Sequence, residues 1–123
     1  MGLFTVEEAR EVLAGLRPVL DELVTLRADA AELAAAVSGG PATGLGGLPE
    51  LKAAQARLDE LLTAVQQTGA ELKGFAPMLV DFPADLELDG RTVPVLLCWL
   101  EGEAELGHYH RADLGVAGRR ALP

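Results

Sequence analysis

His108-Tyr109-His110 is the segment in which residue type and spacing most favour chemistry. In a strand, residues two apart point to the same face, so both imidazoles can reach one metal ion. The strand expected to face this segment carries Cys98, and Glu101, Glu103, Glu105 and Asp113 are close in sequence. Asp81 approaches if its own segment joins the same sheet. A set of His110, His108, Asp81 and Glu101 suits zinc, manganese or iron, and with an open position such a site hydrolyses bonds. A His-x-His pair without further ligands at fixed spacing is a weak signal, since hydrogen-bonded strand histidines share it.

Other residues have plainer readings. Cys98, between Leu97 and Trp99 in an apolar run, is expected to be a buried, inert thiol, because no base stands at a spacing that would activate it. Trp99 is expected to anchor a core or an interface, having no aromatic neighbour two residues away to extend a stacking surface. Asp81 and Glu101 can be imagined as an acid and base pair, but the Pro and Gly around them suggest turn chemistry as readily. Arg111, Arg119 and Arg120 form the one local basic concentration; they could clamp a small anion or nucleotide, with Lys73 nearby, but pairing with the chain's own surplus of carboxylates is the preferred expectation. Lys73, just past an expected helix end, is accounted for by the helix dipole.

The elements that must position these residues follow from periodicity. Thr5 and Glu8 have capping-box spacing, with Glu7, Glu8 and Glu11 at the positive end of a helix. Ala9, Leu16, Leu23, Ala30 and Val37 recur every seven residues, and Val12, Val19, Leu26 and Leu33 follow the first four by three. This is an a/d pattern over four heptads. Val6, Leu13 and Leu20 widen the stripe, and Pro18 predicts a kink near Ala14–Pro18. A Gly-rich loop over 38–48 ends the helix, and it lacks the Lys and Ser/Thr of a phosphate-binding loop. Pro49 opens a second helix on Leu51, Leu58 and Val65 that stops at Gly69. The arms are about 48 Å and about 30 Å long at 1.5 Å per residue. Beyond Gly69 the period changes. Strands are predicted at Ala70–Lys73 and Met78–Phe82, the latter confined to an edge or strand end by Pro83. Asp89-Gly90 predicts a hairpin between Asp85–Leu88 and Arg91–Val95. The run from Val93 to Leu100 is the best strand candidate, and a turn at Glu101–Glu103 leads into Ala104–His110. Residues 111–123 read as an irregular tail. The fold class is α+β in a single domain: a long antiparallel helical hairpin over 1–69, then a small, mostly antiparallel sheet over 70–110.

Composition narrows the function. Among 123 residues, 19 acidic groups outweigh 10 basic ones, and half of the chain is hydrophobic with few aromatics. No clustered basic footprint exists for a nucleic acid or an anionic membrane. The single cysteine permits no internal disulfide. With no secretory leader and no apolar run of about 20 residues, the expected compartment is the cytoplasm.

Several phrases stand in a telling order: Phe4-Thr5-Val6-Glu7-Glu8-Ala9-Arg10, Gly69–Lys73, Asp81-Phe82-Pro83, Leu97-Cys98-Trp99, Gly102-Glu103, His110 and Ala117-Gly118-Arg119. Together they resemble the bacterial domain-of-unknown-function family 2203 over nearly the whole chain. The resemblance carries no activity with it. The family tends to have a Trp-His pair where this chain has Tyr109-His110, and His108 matches no characteristic family position, so a site using His110 carries over better. The leading expectation is a non-enzymatic homodimer, structural or interacting, assembled through the hairpin, because two helices alone cannot bury both seams and the extra stripe. The alternative is a metal-binding protein with a His/carboxylate site on the sheet.

Overall fold

The structure is a computed structural model that describes residues 2–123. Two helices, α1 (Val6–Val37) and α2 (Leu48–Gln67), precede five strands: β1 (Glu71–Phe75), β2 (Met78–Leu88), β3 (Arg91–Leu100), β4 (His108–Arg111) and β5 (Arg120–Ala121). The sheet is antiparallel throughout, in the order β1-β2-β3-β4-β5. This is an α+β fold. No helix among the described residues is long and apolar enough to cross a membrane.

The chain packs as two compact units. Leu16–Ala64 makes up one, and the residues up to Gly15 with Val65–Pro123 make up the other. In the first, Leu33, Leu51 and Ala54 form a buried cluster flanked by Leu26 and Ala30. Arg57 bridges to Glu22 with two hydrogen bonds, at 2.7 and 2.9 Å. Leu33 sits beside the start of α2 and Glu22 beside its later part, so the two arms run antiparallel. The Gly-rich loop joins them, and Glu50 Oε1 accepts from Gly47 N–H to cap α2.

The capping box at Thr5 and Glu8 forms in both directions, at 2.9 and 3.0 Å. Helix α1 continues through Pro18. Of the expected a/d face with its added stripe at Val6, Leu13 and Leu20, the a positions up to Leu23 and most of that stripe are buried more fully than the d positions beside them. Ala9, Leu13, Leu16, Leu20 and Leu23 are buried, whereas Val12, Val19 and Leu26 are half-buried. The i, i+4, i+7 stripe and the i, i+3, i+7 stripe are equally periodic here, and tertiary packing chose the first until Arg27 interrupted it. The seam then shifts to Leu33.

In the second unit, β2 and β3 are joined by Asp89-Gly90, both at positive φ (52° and 74°). That is the backbone of a type I′ turn, whose twist suits a two-residue hairpin. Counting outward from the turn puts Asp81 opposite Cys98 and Phe82 opposite Leu97. Contrary to expectation, β2 continues through Pro83. The reason is local. β1 pairs with β2 only as far as Asp81, and in a strand the N and C=O of one residue point to the same side. The donor Pro83 lacks therefore faces an edge that β1 has left, where Pro83 O accepts from Phe4 N–H at 2.8 Å.

Alternation divides the sheet's residues cleanly. Val80, Phe82, Ala84, Val95, Leu97, Trp99 and Tyr109 share one face and are all buried, with Phe4 edge-on to Phe82 at 5.3 Å. Asp81, Cys98, His108 and His110 share the other face. The strand after Glu101–Glu103 begins only at His108, not at Ala104. The tail is also more regular than predicted. Val116–Gly118 forms a 3-10 turn and β5 pairs with β4.

Candidate metal centre

Asp81, Cys98 and His110 come from three adjacent strands, β2, β3 and β4. One ligand atom from each lies within 4.8 Å of the others, and all three residues are buried. Exposure is 1% for Asp81, 0% for Cys98 and 4% for His110. Two residues before His110, His108 is cross-strand from Cys98, yet its ring turns away to lie 3.2 Å from Glu103 Oε2, not aligned for a hydrogen bond. His110, opposite Leu96, instead reaches diagonally across β3 to Asp81.

The ring of His110 is oriented from both sides. Its Nδ1 faces two carbonyl oxygens, Leu114 O at 2.9 Å and Arg111 O at 3.1 Å. Carbonyls only accept, so Nδ1 must carry a hydrogen and donate it. Nε2 then meets Asp81 Oδ2 at 3.1 Å, a hydrogen bond that needs a proton between the two atoms, in the place a metal ion would take. A ring N–H held by backbone carbonyl while the other nitrogen faces inward is the arrangement that orients metal-binding histidines. The second oxygen of Asp81, Oδ1, is buried and has no hydrogen-bond partner among the described residues. Leaving such an atom unsatisfied costs about 1–3 kcal/mol, and more when it is charged.

Burial pushes the Cys98 thiol up to about 11, and the nearby charge of Asp81 adds to this, while Arg119 works in the opposite direction. The thiol is therefore no nucleophile at neutral pH. Arg119 arches over from the tail and donates to Glu103 Oε1 at 2.6 Å and to Cys98 O at 3.2 Å. Its Nε is buried without a partner. Glu103 Oε1 also accepts from Leu100 N–H at 2.7 Å. Burial raises the Glu103 carboxyl, but that N–H and Arg119 outweigh it and hold it below its ordinary value.

Of the four metal ligands predicted from sequence, Asp81 and His110 meet. Glu101 lies elsewhere: its Oε1 accepts from Met78 N–H at 2.8 Å, closing the end of the β2–β3 pair. Trp99 is a core anchor whose indole N–H donates to Glu103 O. Lys73 lies within β1, not at a helix end, and pairs with Glu71 at 3.0 Å. Cys98 and Glu103 were expected near the histidines, but Cys98 as an inert thiol and not as a third ligand. Arg119 pairs with a carboxylate of the chain, Glu103, and the hairpin count from Asp89-Gly90 sets Cys98 against Asp81.

A family model described as an uncharacterized conserved protein, DUF2203, matches residues 2–122. The chain belongs to this family. No curated protein matches it, and no solved structure does. Within this DUF2203 chain, the phrases that carried the resemblance, Asp81-Phe82-Pro83, Leu97-Cys98-Trp99 and Ala117-Gly118-Arg119, lie far apart in sequence. They deliver Asp81, Cys98 and Arg119 to one cluster beside His110.

Proposed function

We propose that this chain binds one divalent transition-metal ion, zinc before manganese or iron, between β2, β3 and β4. The observation that carries the reading is the buried, unpartnered Asp81 Oδ1 beside His110 Nε2 and Cys98 Sγ. Carboxylate, imidazole and thiolate are the donors zinc takes, and a thiolate disfavours manganese. Binding requires Cys98 to give up its proton, which a coordinating ion compels. Because all three side chains are sealed from solvent, the ion would fasten the strands together and would not turn over a substrate. Metal analysis of protein purified without an affinity tag should give about one ion per chain. Cobalt substitution should produce a thiolate charge-transfer band that Cys98→Ser and His110→Ala abolish and Glu101→Gln retains. Metal-free protein with no cobalt band and no thermal shift in zinc overturns the reading.

A second reading concerns association. The hairpin unit carries a shallow groove of about 350 Å³ lined by Leu26, Leu33, Leu45, Ala53 and Ala54. Val37, Leu45 and Leu48 near the loop are exposed. These residues favour a second copy of the hairpin as occupant, giving a four-helix dimer. Light scattering at micromolar concentration should return a dimer that Leu45→Glu with Leu48→Glu converts to monomer. A wild-type monomer sinks this reading and leaves the metal site standing.

A further inference from the structure

The sheet face that carries Phe82 and Trp99 continues past the buried residues to the far ends of β3, β4 and β5. By alternation Arg91 and Val93 of β3, Tyr109 and Arg111 of β4, and Arg120 of β5 stand on that same face. With Leu88 and Leu114 they line a cleft of about 650 Å³, a size typical of small-molecule sites. The cleft gathers three of the chain's ten basic residues, although the protein as a whole carries a formal charge of -9. Its acidic neighbours are few. Asp89 is among the lining residues, and Asp113 is engaged by Arg111 through two hydrogen bonds at 3.1 and 3.2 Å.

Arg91 and Arg120 differ from Arg57, Arg111 and Arg119, which are ion-paired. Among the described residues, neither side chain has a hydrogen bond or an ion pair. Both guanidinium groups line the same cleft and are free to meet an anionic ligand there. Guanidinium groups bind phosphate and carboxylate in bidentate fashion, and they do so on a flat sheet without a Gly-rich loop. Val93, Leu88 and Leu114 supply an apolar wall between them.

We infer that this cleft binds a small organic di-anion, with its acidic groups on Arg91 and Arg120 and its apolar body against Val93, Leu88 and Leu114. Phosphate esters and dicarboxylates share this chemistry, and the nucleoside diphosphates fit the volume. The site is separate from the proposed metal centre, which occupies the opposite face of the sheet.

The test uses the full chain and four probes in titration calorimetry: ADP, pyrophosphate, citrate and adenosine. ADP should bind, pyrophosphate or citrate should compete with it, and adenosine alone should not bind measurably. Competition by pyrophosphate assigns the site to phosphates, and competition by citrate alone assigns it to carboxylates. Arg91→Ala and Arg120→Ala should each weaken ADP about tenfold, as expected for losing a charge-assisted bidentate contact. Arg57→Ala, in the hairpin, should change nothing. Both cleft arginines are exposed, so these variants should fold, which circular dichroism checks. Absence of binding by all three anions overturns the inference. So does ADP binding that survives the Arg91→Ala, Arg120→Ala double variant. Retained anion binding with no metal would separate this site's fate from that of Asp81, Cys98 and His110.

Discussion

At the scale of single residues, chemistry here is decided by which face of the sheet a side chain takes. Spacing alone put His108 and His110 on an equal footing, both on one face of one strand, and only the family resemblance favoured His110. What separates them is which group each ring meets: Glu103 for His108, Asp81 and two carbonyls for His110. No local pattern records that, because the Leu114 carbonyl belongs to a tail whose path periodicity does not reveal. Asp81 and Cys98 were more legible, since the turn at Asp89-Gly90 fixes their pairing. Glu103 offers a prediction at this scale. Its carboxyl is held below the ordinary 4.5 in the folded chain, so the unfolded chain takes up the proton more readily. The stabilisation is then fully present above about pH 4.5 and is lost as pH falls through the lower folded value. Glu103→Gln should cost about 1.5–3 kcal/mol at neutral pH, as for hydrogen bonds to charged groups. It should also flatten the decline of melting temperature below pH 4.5, which acid-range thermal melts will show.

Elements were legible wherever the sequence states its own boundaries. Thr5 and Glu8, Pro49, Gly69 and Asp89-Gly90 each act through local backbone chemistry, and each marks an end in the structure. The loop between β3 and β4 has no such marker. Glu101 and Glu103 turn their side chains back onto Met78 and Leu100, which lengthens the loop and delays β4 to His108. Burial on α1 was ambiguous for another reason, because two heptad phases share Ala9, Leu16 and Leu23. The turn gives a clean test of element stability. Gly90 has φ +74°, and a Cβ added there meets nothing within 4 Å. Gly90→Val should therefore cost only backbone strain, about 1–2 kcal/mol, with no cavity or clash contribution. Urea denaturation should show a lower midpoint with an unchanged slope.

Within the unit that holds the sheet, the segment before α1 is fastened to β2 and the last residues to the loop just before β4. Phe4 N–H donates to Pro83 O, and Leu122 N–H donates to Gly107 O. The tail is fixed at further points, among them Ala112 N–H to Pro94 O, His110 to Leu114 O, Arg119 to Cys98 O and Glu103, and the β4–β5 pairing. It therefore helps to seal Cys98, which has no exposure at all. Arg119 is the only one of these clasps that ties the tail directly to the residue it covers. Its replacement by alanine leaves Glu103 without its cation and Cys98 O without a donor, so the tail should open locally before the sheet melts. In native protein Cys98 should resist a disulfide-exchange reagent on the time scale of unfolding, both because it is buried and because its thiol is pushed up. Arg119→Ala should speed modification by about tenfold or more at unchanged secondary structure, given a lost contact of about 1.5–3 kcal/mol. Zinc should slow the reaction again if Cys98 is a ligand, and it should have no such effect in Arg119→Ala combined with His110→Ala. Rapid modification of the wild-type thiol without metal would show that the tail is no seal, and that Cys98 is open to solvent by another route.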